Sequence, residues 1–303
     1  MVIVDIFGHT VDWDPIIKIA KKHKLKIIED SCEAIGAEYR MVTPKSRFTP
    51  TGSSISQSRF ARAKWGKCGS FGEISTFAFY PNKQITTCGE GGMIVTDNKK
   101  IADLCRSMMN QGREVKNGKW LEHIRLGYNY RMTDAQAAMG IAQLSRIKEI
   151  LRKRDKVARL YNKKLNWGQS KTGTGTFGAS PHDSPRIKLP YVAPYAKMSW
   201  FVYVIQVNQG QSFGDRHLRS QSPDSPRKYR DDVMNKLRKQ GVSCSNYFQC
   251  IHLQPLYKKM FGYKRGDFPI AEKISDKTIA LPFYNNLTEK EIDYVVKTLK
   301  KCL

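Results

Sequence analysis

The chain has 303 residues, 40% hydrophobic and 26% charged, and its 52 Lys and Arg against 27 Asp and Glu leave a formal charge of +25. That length suits about two domains whose cores need no covalent staple, and no apolar run reaches the roughly 18 residues of a membrane span. Seven scattered Cys without a CxxC spacing argue against a disulfide framework or a zinc ribbon.

The acidic start MVIVDIFGHTVDWD has no basic region of the kind a secretory or transit leader carries, so a reducing cytoplasm is the expected location. Within it VIVDIFG (2–8) reads as a strand, and its two apolar faces predict partners on both sides. DWDPIIKIAKKHK (12–24) sets Ile16, Ile17, Ile19 and Ala20 against a lysine face, the pattern of an amphipathic helix. LKIIED (25–30) is a second strand. Strand, helix of about a dozen residues and strand make a βαβ crossover in a parallel sheet.

ISTFAFYP (74–81) and GMIVTDN (92–98) predict further strands, followed by a helix from about Lys99 to Asn110-Gln111-Gly112. Thr133 and Gln136 form a capping box. From there apolar positions at helical spacing run through Ala138, Ala142, Ile147, Ile150 and Val157 to about Leu165. A helix that long predicts a connector between two lobes. Beyond it WFVYVIQV (200–207) and VSCSNYF (242–248) read as strands, DDVMNKLRKQG (231–241) as a helix, and two helices close the chain around 269–280 and 288–301. The expected fold class is α/β. A large domain over 1–150 carries a partial mixed or parallel sheet, and a small α+β domain covers 151–303.

Three stretches break this grammar: 41–65, 168–189 and 209–228 are rich in Ser, Gly, Pro and Arg and lack either period. They read as loosely held insertions. By direct count they carry +9 of the +25, which leaves +16 on the other 236 residues. A charge of this size attracts polyanions, but a lysine-rich solvated surface is the simpler account of it.

Asp30 ends an apolar strand and Lys83 stands just past the end of another, the rim where parallel α/β sheets bind ligands. A lysine there is either a solvated strand-end residue or, desolvated, a nucleophilic amine able to form a Schiff base. A carboxylate that holds a pyridine nitrogen protonated is what pyridoxal phosphate requires to act as an electron sink. Gly89, Gly91 and Gly92 allow the backbone after Lys83 to approach a ligand. Asn129 and Arg131 stand before the capped helix, where backbone N–H groups favour an anion or simply need caps.

EDSCEAIGA, FAFYPNKQITT with GEGGMIVTD, and LGYNYRMTDAQAAMGIAQL strongly resemble the DegT/DnrJ/StrS family of pyridoxal-phosphate sugar aminotransferases. SNYFQCIHLQPLYKKMFGYKRGDFPIAEKISDKTIALPFYNNLTEKEIDYVV continues the resemblance, which covers nearly all the chain outside the insertions. It implies a fold-type-I aminotransferase with pyridoxal 5'-phosphate as cofactor and Lys83 as the Schiff-base lysine. Asp30 would pair with the pyridinium nitrogen, and Glu33 stands where a glutamine often bonds the ring hydroxyl. Asn129 would reach the cofactor phosphate of a neighbouring subunit and Arg131 the substrate, which implies a homodimer with shared sites. His252 is a packed or substrate-facing histidine rather than a metal ligand, and no metal is expected.

Where the family commonly has a phosphate-binding serine this chain has Ala78, and Cys88 reads as one extra residue in the turn after Lys83 or, more simply, as a buried small apolar side chain. Family members also carry a long segment ahead of the strand matching VIVDIFG, so the cofactor domain is expected to be partial. The implied reaction moves an amino group from an amino acid, with glutamate the expected donor, to a nucleotide-linked keto sugar, as in polysaccharide biosynthesis. The alternative is a truncated, inactive homologue or gene fragment. A third reading, nucleic-acid binding, has charge in its favour but no helix-turn-helix or RRM signature. No membrane partner is expected.

Overall fold

The computed structural model describes residues 1–41, 64–113, 122–166, 186–208 and 225–303. Most of the three stretches read as insertions therefore lies outside the described residues. Their edges do not: 64–65, 187–188 and 226–228 belong to strands or a helix.

The β-branched start forms β1 (Val2–Val4), and then the chain turns through a single 3-10 turn at Ile6–Gly8 rather than continuing as a strand. The lysine-faced segment forms α1 (Trp13–Lys22), and β2 (Ile28–Asp30) follows. Further along are β3 (Glu38–Met41), β4 (Lys64–Lys67), β5 (Ile74–Ala78) and β6 (Gly92–Val95). β1, β2 and β5 are parallel neighbours and β6 closes the order β1-β2-β5-β6 antiparallel, so the sheet is mixed. Val2 and Val4 on its edge strand remain exposed. α2 (Lys99–Met109) starts where Asn98 accepts from the N–H groups of Lys100 and Ile101, an N-cap that satisfies two orphan donors.

The capping box at Thr133 is present, but the expected single long helix is two: α3 (Asp134–Ser145) and α4 (Ile147–Leu165). At Arg146 the backbone leaves helical geometry (φ −99°, ψ 6°), and the Ser145 hydroxyl bonds back to the Ala142 carbonyl at 2.8 Å. Such a back-bond competes with the helical ladder and bends it.

β7 (Ile187–Lys188), β8 (Ala196–Lys197) and β9 (Tyr203–Val207) precede α5 (Pro226–Lys239). The chain ends with α6 (Pro255–Phe261), α7 (Pro269–Ser275), β10 (Thr278–Leu281) and α8 (Glu289–Cys302). β10, fully buried, is a strand inside the segment expected to be helical. Conversely 242–248 forms no strand and contributes only a bridge between Ser245 and Ala280. The four residues Thr278–Leu281 are too short to show any period, and burial on both faces decides them.

The chain divides into two units, Met1–Arg152 with Val192–Phe201, and Lys153–Tyr191 with Val202–Leu303. The first holds the mixed sheet and an antiparallel β4-β3-β8 sheet; the second holds the antiparallel order β10-β9-β7. In the first, Trp13, Ala20, Ile27 and Tyr39 form a buried cluster, with the Trp13 ring stacked on Phe71 at 4.9 Å. In the second, Tyr161 stacks on Tyr203 at 4.7 Å, and Leu237, Ile279, Ile292 and Leu299 are fully buried.

Tyr39 also sets the start of α1. Its hydroxyl donates to Asp12 at 2.8 Å and accepts from the Asp14 N–H at 3.1 Å. Tyr39→Phe should therefore cost about 1–2 kcal/mol, read as a lower denaturation midpoint with an unchanged slope.

Candidate active site

Four chain segments of the first unit meet around Lys83. The Ile6–Gly8 turn places Phe7 at φ 62° and Gly8 at φ 85°, and a Cβ on Gly8 would lie 2.6 Å from the Trp200 nitrogen. Only glycine fits there. The close approach lets Ser199 N–H reach the Gly8 carbonyl at 2.8 Å and Phe201 N–H the Phe7 carbonyl at 3.2 Å. Gln84, 3% exposed, ties the remaining segments together by donating to the Glu33 carbonyl at 2.6 Å and the Ser199 hydroxyl at 3.2 Å.

Lys83 itself is 16% exposed at its side chain. Its amine lies 3.3 Å from Glu33 Oε1 and 4.6 Å from the centroid of the Phe201 ring. The other Glu33 oxygen accepts the Phe7 N–H at 3.0 Å. One carboxylate thus fixes both the strained turn and the amine. The expected strand 200–207 begins only at Tyr203, because Ser199–Phe201 is drawn into this cluster with Trp200 at φ 55°.

Asp30 closes β2, and its Oδ1 accepts the Cys32 N–H at 3.1 Å. The Cys32 thiol contacts Thr76 Oγ1 at 3.6 Å. Burial, then Asp30, push that thiol up to about 11, while Thr76 and the Lys83 charge act the other way. Asp30 and Lys83 therefore both act on one side chain. Among the described residues Asp30 has no cationic partner. A half-buried carboxylate without a counter-ion, near a sheltered amine, fits the protonated ring nitrogen of pyridoxal phosphate.

Asn129 and Arg131 form a separate exposed cluster. Arg131 donates to Asn129 Oδ1 at 3.0 Å and Asn110 Oδ1 at 3.1 Å. They are not bonded to Lys83, but the helix they precede touches the turn that follows it: Gln136 of α3 donates to the Glu90 carbonyl at 3.0 Å. In that turn a Cβ on Gly91 would sit 2.1 Å from Thr87 Oγ1. Of the two readings of Cys88, the buried side chain does not hold. It is exposed at φ 60°, its N–H held by the Thr86 hydroxyl at 3.2 Å, as an extra residue in a tight turn requires. Ala78 pairs with Gly92 at the end of β5 and supplies no hydroxyl. His252 belongs to the second unit, where it is buried against Glu272 at 2.9 Å and Phe268 at 4.7 Å.

The spacing reading missed Phe7, Gln84, Ser199 and Phe201. Only Gln84, adjacent to Lys83, carried a local signal. It also missed the layer beneath. Glu29 is fully buried and accepts from Gly69, Phe71 and Gly72 N–H (2.6, 2.8 and 3.1 Å) and from Ser75 Oγ at 2.9 Å. Ser31 Oγ lies 3.2 Å from Glu29 Oε1 and 3.0 Å from Asp5 Oδ2. A hydroxyl has one proton to give. It donates to only one of them at a time, so a proton on Asp5 would relieve the contact between the two acids. Burial pushes Asp5 up to about 7, with the Glu29 charge adding to it. Asp5, Glu29 and the buried Cys68 bring ligand-type atoms within 4.8 Å of one another, but the carboxyl oxygens are already engaged by protein donors.

Residues 1–300 match the family model described as the DegT/DnrJ/EryC1/StrS aminotransferase family. An uncharacterized protein of Methanocaldococcus jannaschii is 32% identical over 97% of this chain and 64% of its own length. GDP-perosamine synthase of Caulobacter vibrioides is 31% identical over 99% of this chain and 65% of its own. The chain thus spans just under two thirds of the curated relatives it matches. Among solved structures, Helicobacter pylori PseC, an aminotransferase of pseudoaminic acid biosynthesis, superposes with TM-score 0.75 at 22% identity, covering 99% of this chain and 66% of that one. That likeness shows the α/β fold.

The acid pair makes stability depend on pH. Folded Asp5 keeps its proton to about 7, whereas an unfolded aspartate releases it near 3.8. The folded state binds more protons across that window, so this contribution is full below it and lost as pH rises through it. Asp5→Asn keeps the shape and a donor. Its stability relative to the parent, read from melting temperatures, should climb between about pH 4 and pH 7, by at most roughly 4 kcal/mol. Parallel curves would contradict a protonated Asp5.

Proposed function

The chain belongs to the DegT/DnrJ/EryC1/StrS aminotransferase family, and from that membership we propose that it acts as a pyridoxal-phosphate-dependent aminotransferase on a nucleotide-linked keto sugar. The observation that carries the reading is the sheltered Lys83 amine beside Glu33, on the same rim as the unpaired Asp30 carboxylate. The name of the Caulobacter relative, GDP-perosamine synthase, supports a nucleotide sugar as substrate. Glutamate is the donor we infer, and a homodimer with shared sites is the assembly. No described helix is long and apolar enough to cross a membrane, and we place the reaction in the cytoplasm.

Pyridoxal phosphate, when bound, supplies an electron sink for the negative charge that develops at the amino-bearing carbon. Asp30 would hold the ring nitrogen protonated, and Cys32 N–H fixes the orientation of that carboxylate. Lys83 is the base that would take a proton at the amino-bearing carbon and return it two atoms further along, across the nitrogen, in a 1,3-shift that suits a positioned amine. Glu33 keeps the amine in place through the Phe7 turn, and Phe201 shields it from water. Asn129 would hold the phosphate in the neighbouring subunit's site, Arg131 and His252 the substrate. Ala78 favours a second reading, in which the chain has lost the cofactor, because it removes a phosphate ligand from the end of β5.

One experiment separates the two. Purified protein given pyridoxal phosphate should gain a visible absorption band, and borohydride should fix the pyridoxyl group on the peptide carrying Lys83. Lys83→Ala should abolish both. Absence of the band at saturating cofactor would establish the second reading.

Asp30→Asn should weaken cofactor binding about 10- to 100-fold, as loss of a charge-assisted hydrogen bond does. The same titration followed by absorbance measures it.

A further inference from the structure

Gln84 follows Lys83 in the chain and is 3% exposed. Its amide can lie only one way round: the Glu33 carbonyl, 2.6 Å away, accepts and never donates, so the amide nitrogen must face it. The second amide hydrogen goes to the Ser199 hydroxyl at 3.2 Å. That hydroxyl donates in turn to the Gly8 carbonyl at 3.4 Å. Gly8 follows Phe7, whose N–H meets one oxygen of Glu33, and the other oxygen of Glu33 meets Lys83. The contacts close a ring that begins and ends on two consecutive residues, and all its members belong to the first unit.

Glu33 is thereby gripped at both ends, its carbonyl by Gln84 and its carboxylate by the Phe7 N–H. The amide oxygen of Gln84 shows which half of that side chain matters. It is buried and meets no donor among the described residues. A buried acceptor left so is costly, and packing alone would be better served by an apolar side chain. The two N–H groups are what the position requires.

We propose that Gln84 is a positioning residue for Lys83: by holding the Glu33 carbonyl and the Ser199 hydroxyl it keeps the Glu33 carboxylate on the amine. The proposal rests on the reading of Lys83 as the reactive amine, and Gln84 acts on that amine through Glu33.

Acetylation of the full chain without cofactor, with the Lys83 peptide quantified by mass spectrometry, tests this. Gln84→Met keeps the length of the side chain and removes both donors. Lys83 should then react at least about threefold faster than in the parent at about pH 8. Its profile of rate against pH should also move to lower pH, because an amine that loses a carboxylate partner gives up its proton more readily. A wider opening alone would raise the rate at every pH and leave the profile where it is. Glu33→Gln should shift the profile the same way, with a rate gain of about tenfold. Adding Gln84→Met to Glu33→Gln should change nothing further, since both act on one contact. The exposed Lys26 and Lys99 serve as internal references. An unmoved profile in Gln84→Met would overturn the role, as would a further shift in the double variant, which would make Gln84 independent of Glu33. Gln84→Asn, whose amide is one carbon too short to span both acceptors, gives the same comparison if the Met variant does not fold. The outcome is separate from the absorption band that tests cofactor binding, because a chain without the band can still show the shift and a chain with it can fail to.

Discussion

Everything around Lys83 rests on a charge placed where water cannot reach it. Glu29 is fully buried, and an ionised carboxylate in such a place persists only if its oxygens are met by donors. The donors come from the turn at 69–72 and from Ser75, so satisfying Glu29 fixes that turn and, with it, how β5 lies against β2. The pairing that results sets Glu29 opposite Ser75 and Asp30 opposite Thr76. Neighbouring residues of a strand face opposite ways. A Glu29 committed to the interior therefore leaves Asp30 no choice but the other side, with Cys32 and Thr76.

A second carboxylate does comparable work one layer up. Glu33 is bound on one oxygen to the Phe7 backbone and on the other to Lys83. The left-handed conformation at Phe7 costs of order 1–3 kcal/mol in a bulky residue, and it persists because Glu33, Ser199 and Phe201 all hold it. The strain and the amine are thus parts of one arrangement. The large positive charge of the chain has little share in it, since Lys83 meets a carboxylate and an aromatic face rather than a basic patch.

Much of this was legible in the sequence wherever a residue's role is local. Asp30 and Lys83 stand out because strand ends in a parallel sheet face one rim, and the Thr133 cap because its partner is three residues away. The length of the following helix was not, since the break at Arg146 comes from a serine turning its hydroxyl back on the ladder rather than from proline or glycine. β10 was hidden for a different reason: four buried residues show neither helical nor strand period. Phe201 and Ser199 were beyond reach, because their partners lie more than a hundred positions away. The roles of Asn129, Arg131 and His252 still rest on the family motif, with Asn129 and Arg131 now seen to hold each other.

The return of Val192–Phe201 to the first unit bears on how the chain acquires its structure. The bond between Ser199 and Gly8 joins residues 191 positions apart. Such closures are slow, because the entropy of the intervening chain is lost before the contact repays it. During synthesis residues 1–150 can form their sheet, yet the wall behind Lys83 cannot close until residue 201 has emerged. A nascent chain stopped at the unit boundary would carry Lys83 and lack its shelter. The first unit is thus completed only by a segment, Val192–Phe201, that follows most of its residues by about forty positions or more.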